Sequence, residues 1–163
     1  MLARGNDAPM NVLPQFLTHL LLAGLVGADL TSCQTSVTRE VSEGWQRSLP
    51  LAADGHVVVE NPTGAVWIAG WDRAEVQIEA VKRARDRREL EGIAIQVDHT
   101  PGRVEVRSVL PRHPGRRAAD LPRVDYTMHV PRGASLESVA AGRGAVTVKG
   151  IAGSVVASSG TAR

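Results

Sequence analysis

The chain has one cysteine, one phenylalanine and one tyrosine among its 163 residues, and three tryptophans complete its aromatics. A lone cysteine, Cys33, rules out an intramolecular disulfide. With so few rings, a core has to be built from Val, Ile, Leu and Ala, a filling that suits thin stacked layers of strands. Charge of one sign is also lacking. The formal net charge is +2, carried by dispersed arginines, which gives no strong steering toward nucleic acid. No uninterrupted apolar run reaches the roughly 20 residues a membrane helix needs. Catalytic signatures are missing as well: no Gly-x-Ser-x-Gly, no phosphate-binding loop, no paired cysteines. The five histidines (His19, His56, His99, His113 and His129) show no metal-ligand spacing. His129 and Asp125 share one face of a strand, but four residues of strand separate them by about 13 Å. The expectation is a protein without catalytic residues, cofactor or metal, and without a nucleic-acid partner.

What is present first is an address. Leu20–Ala28 is an apolar run of the size of a secretory signal's core, roughly 7–15 residues. Cys33 lies just behind it, and Leu30-Thr31-Ser32-Cys33 resembles the bacterial lipobox, in which the cysteine is lipidated and becomes the N-terminus. A buried helix followed by an ordinary thiol is the plainer alternative, and two features favour it. Arg4 is offset by Asp7, and Asp29 places a charge near the cleavage point; a start at Met10 instead of Met1 would also remove Arg4. The expected organisation is a signal peptide over 1–32, a polar tether over 33–44 and a β-strand-repeat domain over 45–163. Lipidation at Cys33 implies an exported protein, anchored through lipid to a membrane of the cell envelope and facing the periplasm or the cell surface.

From Trp45 onward, residues alternate with period two. Val76, Ile78 and Ala80 fall on one face and Glu75, Gln77 and Glu79 on the other. The same period runs through Ile93–Val97, Arg103–Arg107 and Val124–Val130, with turns at Asn61-Pro62-Thr63-Gly64, Thr100-Pro101-Gly102 and Pro131-Arg132-Gly133. Between strands, Lys82–Glu91 is either a short helix and solvated connection, with Arg87 and Glu91 paired four apart, or a basic patch for polyanions. Pro111–Arg123, with three prolines, reads as a flexible surface loop.

The most specific pattern is a repeated heptad. Gly64-Ala-Val-Trp-Ile-Ala-Gly70 and Gly144-Ala-Val-Thr-Val-Lys-Gly150 share Gly-Ala-Val-x-(Ile or Val)-x-Gly, and Ile151–Gly160 follows with similar texture. Glycine-bounded strands at this spacing predict an all-β fold of the β-solenoid or single-stranded β-helix kind, incomplete at the C-terminus because the rhythm stops at Thr161-Ala162-Arg163. Open rung edges of that fold would invite self-association. An antiparallel meander is the alternative, and it predicts more two-residue Asn-Gly turns than occur here. Within the first heptad, Trp67 alternates with Val66 and Ile68 and so faces outward if they face in. With Trp71 it is the candidate surface contact for a glycan or an envelope protein; the alternative is that it packs under Lys82–Glu91 or covers the end of the domain.

Ala52–Gly55, Val57–Glu60, Asn61–Gly64, Val66–Ile68, Gly70–Asp72, Val124–Pro131 and Gly144–Gly160, in that order, resemble the bacterial "putative adhesin" family of β-strand-repeat domains. The resemblance covers Trp45 to the end. It implies a glycine-punctuated β-solenoid and an exported or envelope location, with adhesion or scaffolding as the role. It supplies no catalytic residues and no ligand.

Overall fold

The computed structural model describes residues 40–117 and 120–160. The signal-like segment 1–32 and Cys33 lie outside them. Among the described residues, ten strands and one short helix follow in order: β1 (Val41–Pro50), β2 (His56–Asn61), β3 (Val66–Trp71), β4 (Glu75–Ala84), α1 (Arg87–Glu91), β5 (Ala94–Thr100), β6 (Arg103–Val109), β7 (Arg123–Pro131), β8 (Ser135–Ala141), β9 (Val146–Lys149) and β10 (Val155–Ser159). Among the described residues no helix is long and apolar enough to cross a membrane.

The all-β class agrees with the sequence, but the expected β-solenoid is not the fold. The strands form two sheets of mixed orientation, ordered β1-β4-β7-β3-β9 and β10-β8-β2-β6-β5. Pairs β1/β4, β4/β7 and β5/β6 are antiparallel, while β7/β3, β3/β9, β10/β8, β8/β2 and β2/β6 are parallel. A coil of rungs would keep every pairing parallel and stack each rung on the one before it. Here β6–β7 lies on one flank of β2–β3 and β8–β9 on the other, out of chain order. The β5–β6 hairpin, with Thr100 opposite Arg103, turns on Pro101-Gly102. The chain therefore reverses where a solenoid would advance.

The repeated heptads nevertheless meet. Strands β3 and β9 pair with Val66 opposite Val146, Trp67 opposite Thr147, Ile68 opposite Val148 and Ala69 opposite Lys149. Their leading glycines explain the close approach. Gly64 has φ +121°, and a Cβ there would lie 2.0 Å from the Val124 carbonyl oxygen; one on Gly144, at φ +156°, would lie 2.0 Å from the carbonyl oxygen of Gly64. Only glycine fits both the backbone angle and the gap.

Period-two alternation turns one row of each strand inward, and the rows of both sheets fuse into one aliphatic core. Val57, Val59, Val104, Val106, Leu136 and Val139 come from one sheet, and Val66, Ile68, Val76, Ile78, Val124, Met128 and Val130 from the other. Each such side chain contributes about 1.5–3 kcal/mol by leaving water. Strand β1 opens at Val41, within the polar stretch, and Val41, Trp45 and Leu49 pack against this core. The single tyrosine spans the layers. Tyr126 of β7 is buried, and its hydroxyl lies 2.7 Å from Ser108 Oγ of β6. Burial pushes its pKa from 10.0 up to about 12, against the opposing effect of the Ser108 hydrogen bond.

Helix α1 forms within the charged segment. Asp86 caps it by accepting from the Glu89 N–H at 2.8 Å, and Arg87 pairs with Glu91 at 3.1 Å. Leu90 is fully buried. Glu89 is buried too, which is tolerable for a carboxylate because its oxygens are occupied. One accepts from the Arg85 N–H at 3.0 Å and the other from Arg116 Nη1 at 2.6 Å. His113 Nε2 approaches that second oxygen to 2.6 Å, although off the line of a hydrogen bond. The segment after β6, expected to be a flexible surface loop, is thus tied to α1 by two of its own side chains.

Candidate functional site

The outward row of β3 builds the site. With Val66 and Ile68 buried, Trp67, Ala69 and Trp71 face away from the core, each half-buried. On neighbouring β7, the inward row is Val124, Tyr126, Met128 and Val130, so His129 faces outward as well. Parallel register sets Ala69 opposite His129. Alanine leaves room beside it, and the imidazole fills that room between the two indoles.

The result is a three-ring cluster. The His129 ring meets Trp67 edge-on, with centroids 5.5 Å apart and planes at 73°, and stacks on Trp71 at 5.3 Å and 28°. Both arrangements suit the quadrupoles of the rings. Trp71 is held further by its Nε1–H, which donates to the Glu75 carbonyl at 2.8 Å. The exposed Arg73 guanidinium lies 4.8 Å above the Trp71 ring and pairs with Glu75 at 3.3 Å. Trp71 is therefore engaged by His129 and by Arg73, which leaves Trp67 as the freer ring. His129 Nδ1 is shielded from solvent and has no hydrogen-bond partner among the described residues.

Polar groups flank the rings in register. Thr147 and Lys149 of β9 lie opposite Trp67 and Ala69; Thr127 lies opposite Trp67 on the other side, followed by Glu79 and Gln77 of β4. Gln77 Nε2 donates to Glu79 Oε1 at 2.7 Å. Rigid aromatic surface bordered by hydroxyl, amide, carboxylate and ammonium groups can hold an amphipathic molecule flat against the sheet.

Of the residues singled out from sequence, Trp67 and Trp71 come together through His129, and Cys33 lies outside the described residues. Trp67 lies in register with Thr127 and Glu79, and its ring meets His129. The sequence sets His129 about 13 Å along a strand from Asp125 and gives it no role in a site. Asp125 instead accepts from the Ala65 N–H at 3.0 Å and lies beside Arg83 and Arg123. The other described histidines are dispersed: His56 is beside Glu137, His99 against the Pro50 carbonyl and His113 at Glu89. Among the described residues no cluster of three or more His, Cys, Asp or Glu is arranged to hold a metal ion.

The chain matches no model of a known protein family, so its likeness to the putative-adhesin family rests on the residues quoted for it. No curated protein matches it either. Among solved structures it is similar to a putative cell adhesion protein from Clostridium sporogenes. That likeness has a TM-score of 0.42 and 11% sequence identity, and covers 65% of this chain and 57% of the other. The chain thus aligns with little more than half of that protein's length.

Proposed function

We propose that this protein is a non-enzymatic component of the cell envelope that binds glycan on the outer face of the β1-β4-β7-β3-β9 sheet. In this reading it is exported and held to a membrane by lipid on Cys33. One observation carries the binding role: Trp67, His129 and Trp71 form a pre-assembled aromatic surface on a sheet face, bordered by hydrogen-bonding side chains. Indoles at a surface offer apolar area to the C–H face of a sugar while neighbouring polar side chains serve its hydroxyls. Rings already locked lose little freedom on binding. The anchor is supported by Leu20–Ala28 and the single cysteine behind it.

Titrating the full chain with a panel of envelope and host-surface oligosaccharides tests the site. Trp67→Ala is expected to weaken binding by about 30-fold or more, the loss typical of a central aromatic contact. Unchanged affinity would reject this face. Intact mass of protein taken from membranes tests the anchor separately: a species beginning at Cys33 with added acyl mass is expected, and an unmodified chain would remove it.

A second reading, association of two copies by strand addition, has its own observation. Among the described residues β9 and β10 are sheet edges, and Val155 and Val156 of β10 are 43% and 61% exposed. Apolar edges of this kind invite pairing. Sedimentation of wild type and Val156→Lys distinguishes the two readings, since only edge pairing makes mass depend on concentration and on that residue.

A further inference from the structure

At one end of the sheets, three connections pass from the second sheet to the first: 62–65 between β2 and β3, the described parts 110–117 and 120–122 between β6 and β7, and 142–145 between β8 and β9. They adjoin because β2, β6 and β8 run parallel, as do β3, β7 and β9. Between them lies a cleft of about 440 Å³, within the range of small-molecule sites. Its floor is apolar, formed chiefly by Leu110, Pro111, Leu121 and Pro122, and the exposed guanidinium groups of Arg112 and Arg143 border it.

We infer that this cleft binds a small amphipathic carboxylate, an apolar body of about the size of one medium acyl chain with a single anionic end. Three observations converge on that class. No lining residue is acidic, and two of them are arginines. Arg112 and Arg143, like Arg47, Arg85, Arg88 and Arg117, belong to no ion pair among the described residues, and of these six only Arg112 and Arg143 border the cleft. The wall is also fixed before any ligand arrives, because Arg116 and His113 of the same loop are drawn onto buried Glu89. The floor excludes water from the apolar body, and the two arginines, one on each of two connections, close on the anion with charge-assisted hydrogen bonds. This site is separate from the aromatic face and does not depend on the glycan reading.

The test is a titration of the full chain with decanoate below its micelle concentration, with decanol and acetate as controls, followed by backbone amide shifts. Saturable decanoate binding is expected, with shifts at Leu110, Arg112, His113, Leu121, Gly142, Arg143 and Gly144. Decanol, which keeps the chain but not the charge, is expected to bind about tenfold or more weakly, and acetate is expected not to saturate. Arg112→Gln/Arg143→Gln, both at exposed positions, is expected to reduce decanoate to the level of decanol while leaving the fold and the decanol response unchanged. Trp67→Ala is expected to leave decanoate binding intact. The inference is overturned by equal affinity for decanoate and decanol, by full affinity in the double variant, by the absence of saturable binding, or by shifts confined to Val155 and Val156.

Discussion

Replacing Tyr126 by phenylalanine removes one oxygen from between the sheets, and the consequences divide into a neutral-pH cost and an alkaline one. At neutral pH the variant leaves the Ser108 hydroxyl, 3% exposed, without its partner at 2.7 Å. An unsatisfied buried hydroxyl costs about 1–3 kcal/mol. Tyr126→Phe/Ser108→Ala removes both ends of the bond and is expected to recover part of that loss. The alkaline effect follows from the tyrosine pKa, which stands near 10.0 in the unfolded chain and about 12 in the folded one. Below pH 10 both states hold the proton, and Tyr126 adds no pH dependence. Between pH 10 and about 12 the unfolded state releases it while the folded state keeps it, so stability falls as pH rises. Over that span the loss is roughly 2–3 kcal/mol. Urea unfolding at stepped pH measures it, as the difference between wild type and Tyr126→Phe, since lysines titrate in the same window in both. The chain has only one tyrosine, so its tyrosinate absorbance reports this group alone. A midpoint near 10 in the folded protein, or parallel stability curves for the two proteins, would refute the buried inter-sheet hydroxyl.

Other perturbations test other parts of the account. Glu89→Ala removes the buried carboxylate that accepts from Arg116 and the Arg85 N–H; a loss of about 1–3 kcal/mol in urea unfolding is expected, with faster hydrogen exchange at Arg112, His113, Gly115, Arg116 and Arg117. Gly64→Ala places a methyl group 2.0 Å from the Val124 carbonyl at φ +121°, and it is expected to destabilise by more than about 2 kcal/mol in thermal or urea unfolding. Ala69→Leu inserts bulk opposite His129; far-ultraviolet dichroism is expected to stay unchanged while the near-ultraviolet signal of the stacked Trp71 falls.

Much of the strand layout was legible because alternation is a local property. Val76, Ile78 and Ala80, or Val124, Tyr126, Met128 and Val130, reveal their buried face without knowledge of any partner. The heptads at Gly64 and Gly144 marked two like strands, β3 and β9, although the solenoid they were read into is not the fold. Pairing was not legible, because a period of two fixes which face a residue occupies and leaves the neighbouring strand open. The same short glycine-bounded strands serve a coil of rungs or two mixed sheets. What decided between them was the insertion of β7 between β4 and β3, a contact spanning about 60 residues of sequence. His129 was missed for the same reason, since it joins Trp67 and Trp71 only through that pairing. Strand β1 was hidden by its polar residues; its inward row has Val41, Trp45 and Leu49 at wide spacing, among Ser, Glu, Gly, Gln and Arg.

The measurement that bears most directly on the proposed role is oligosaccharide binding by the full chain, read by tryptophan fluorescence in wild type, Trp67→Ala and Trp45→Phe. Trp45 packs against the core on β1, away from the outer face of β3. The account predicts saturable binding that survives Trp45→Phe and is lost in Trp67→Ala. Binding retained in Trp67→Ala, or a panel to which the wild-type chain shows no response, would contradict it.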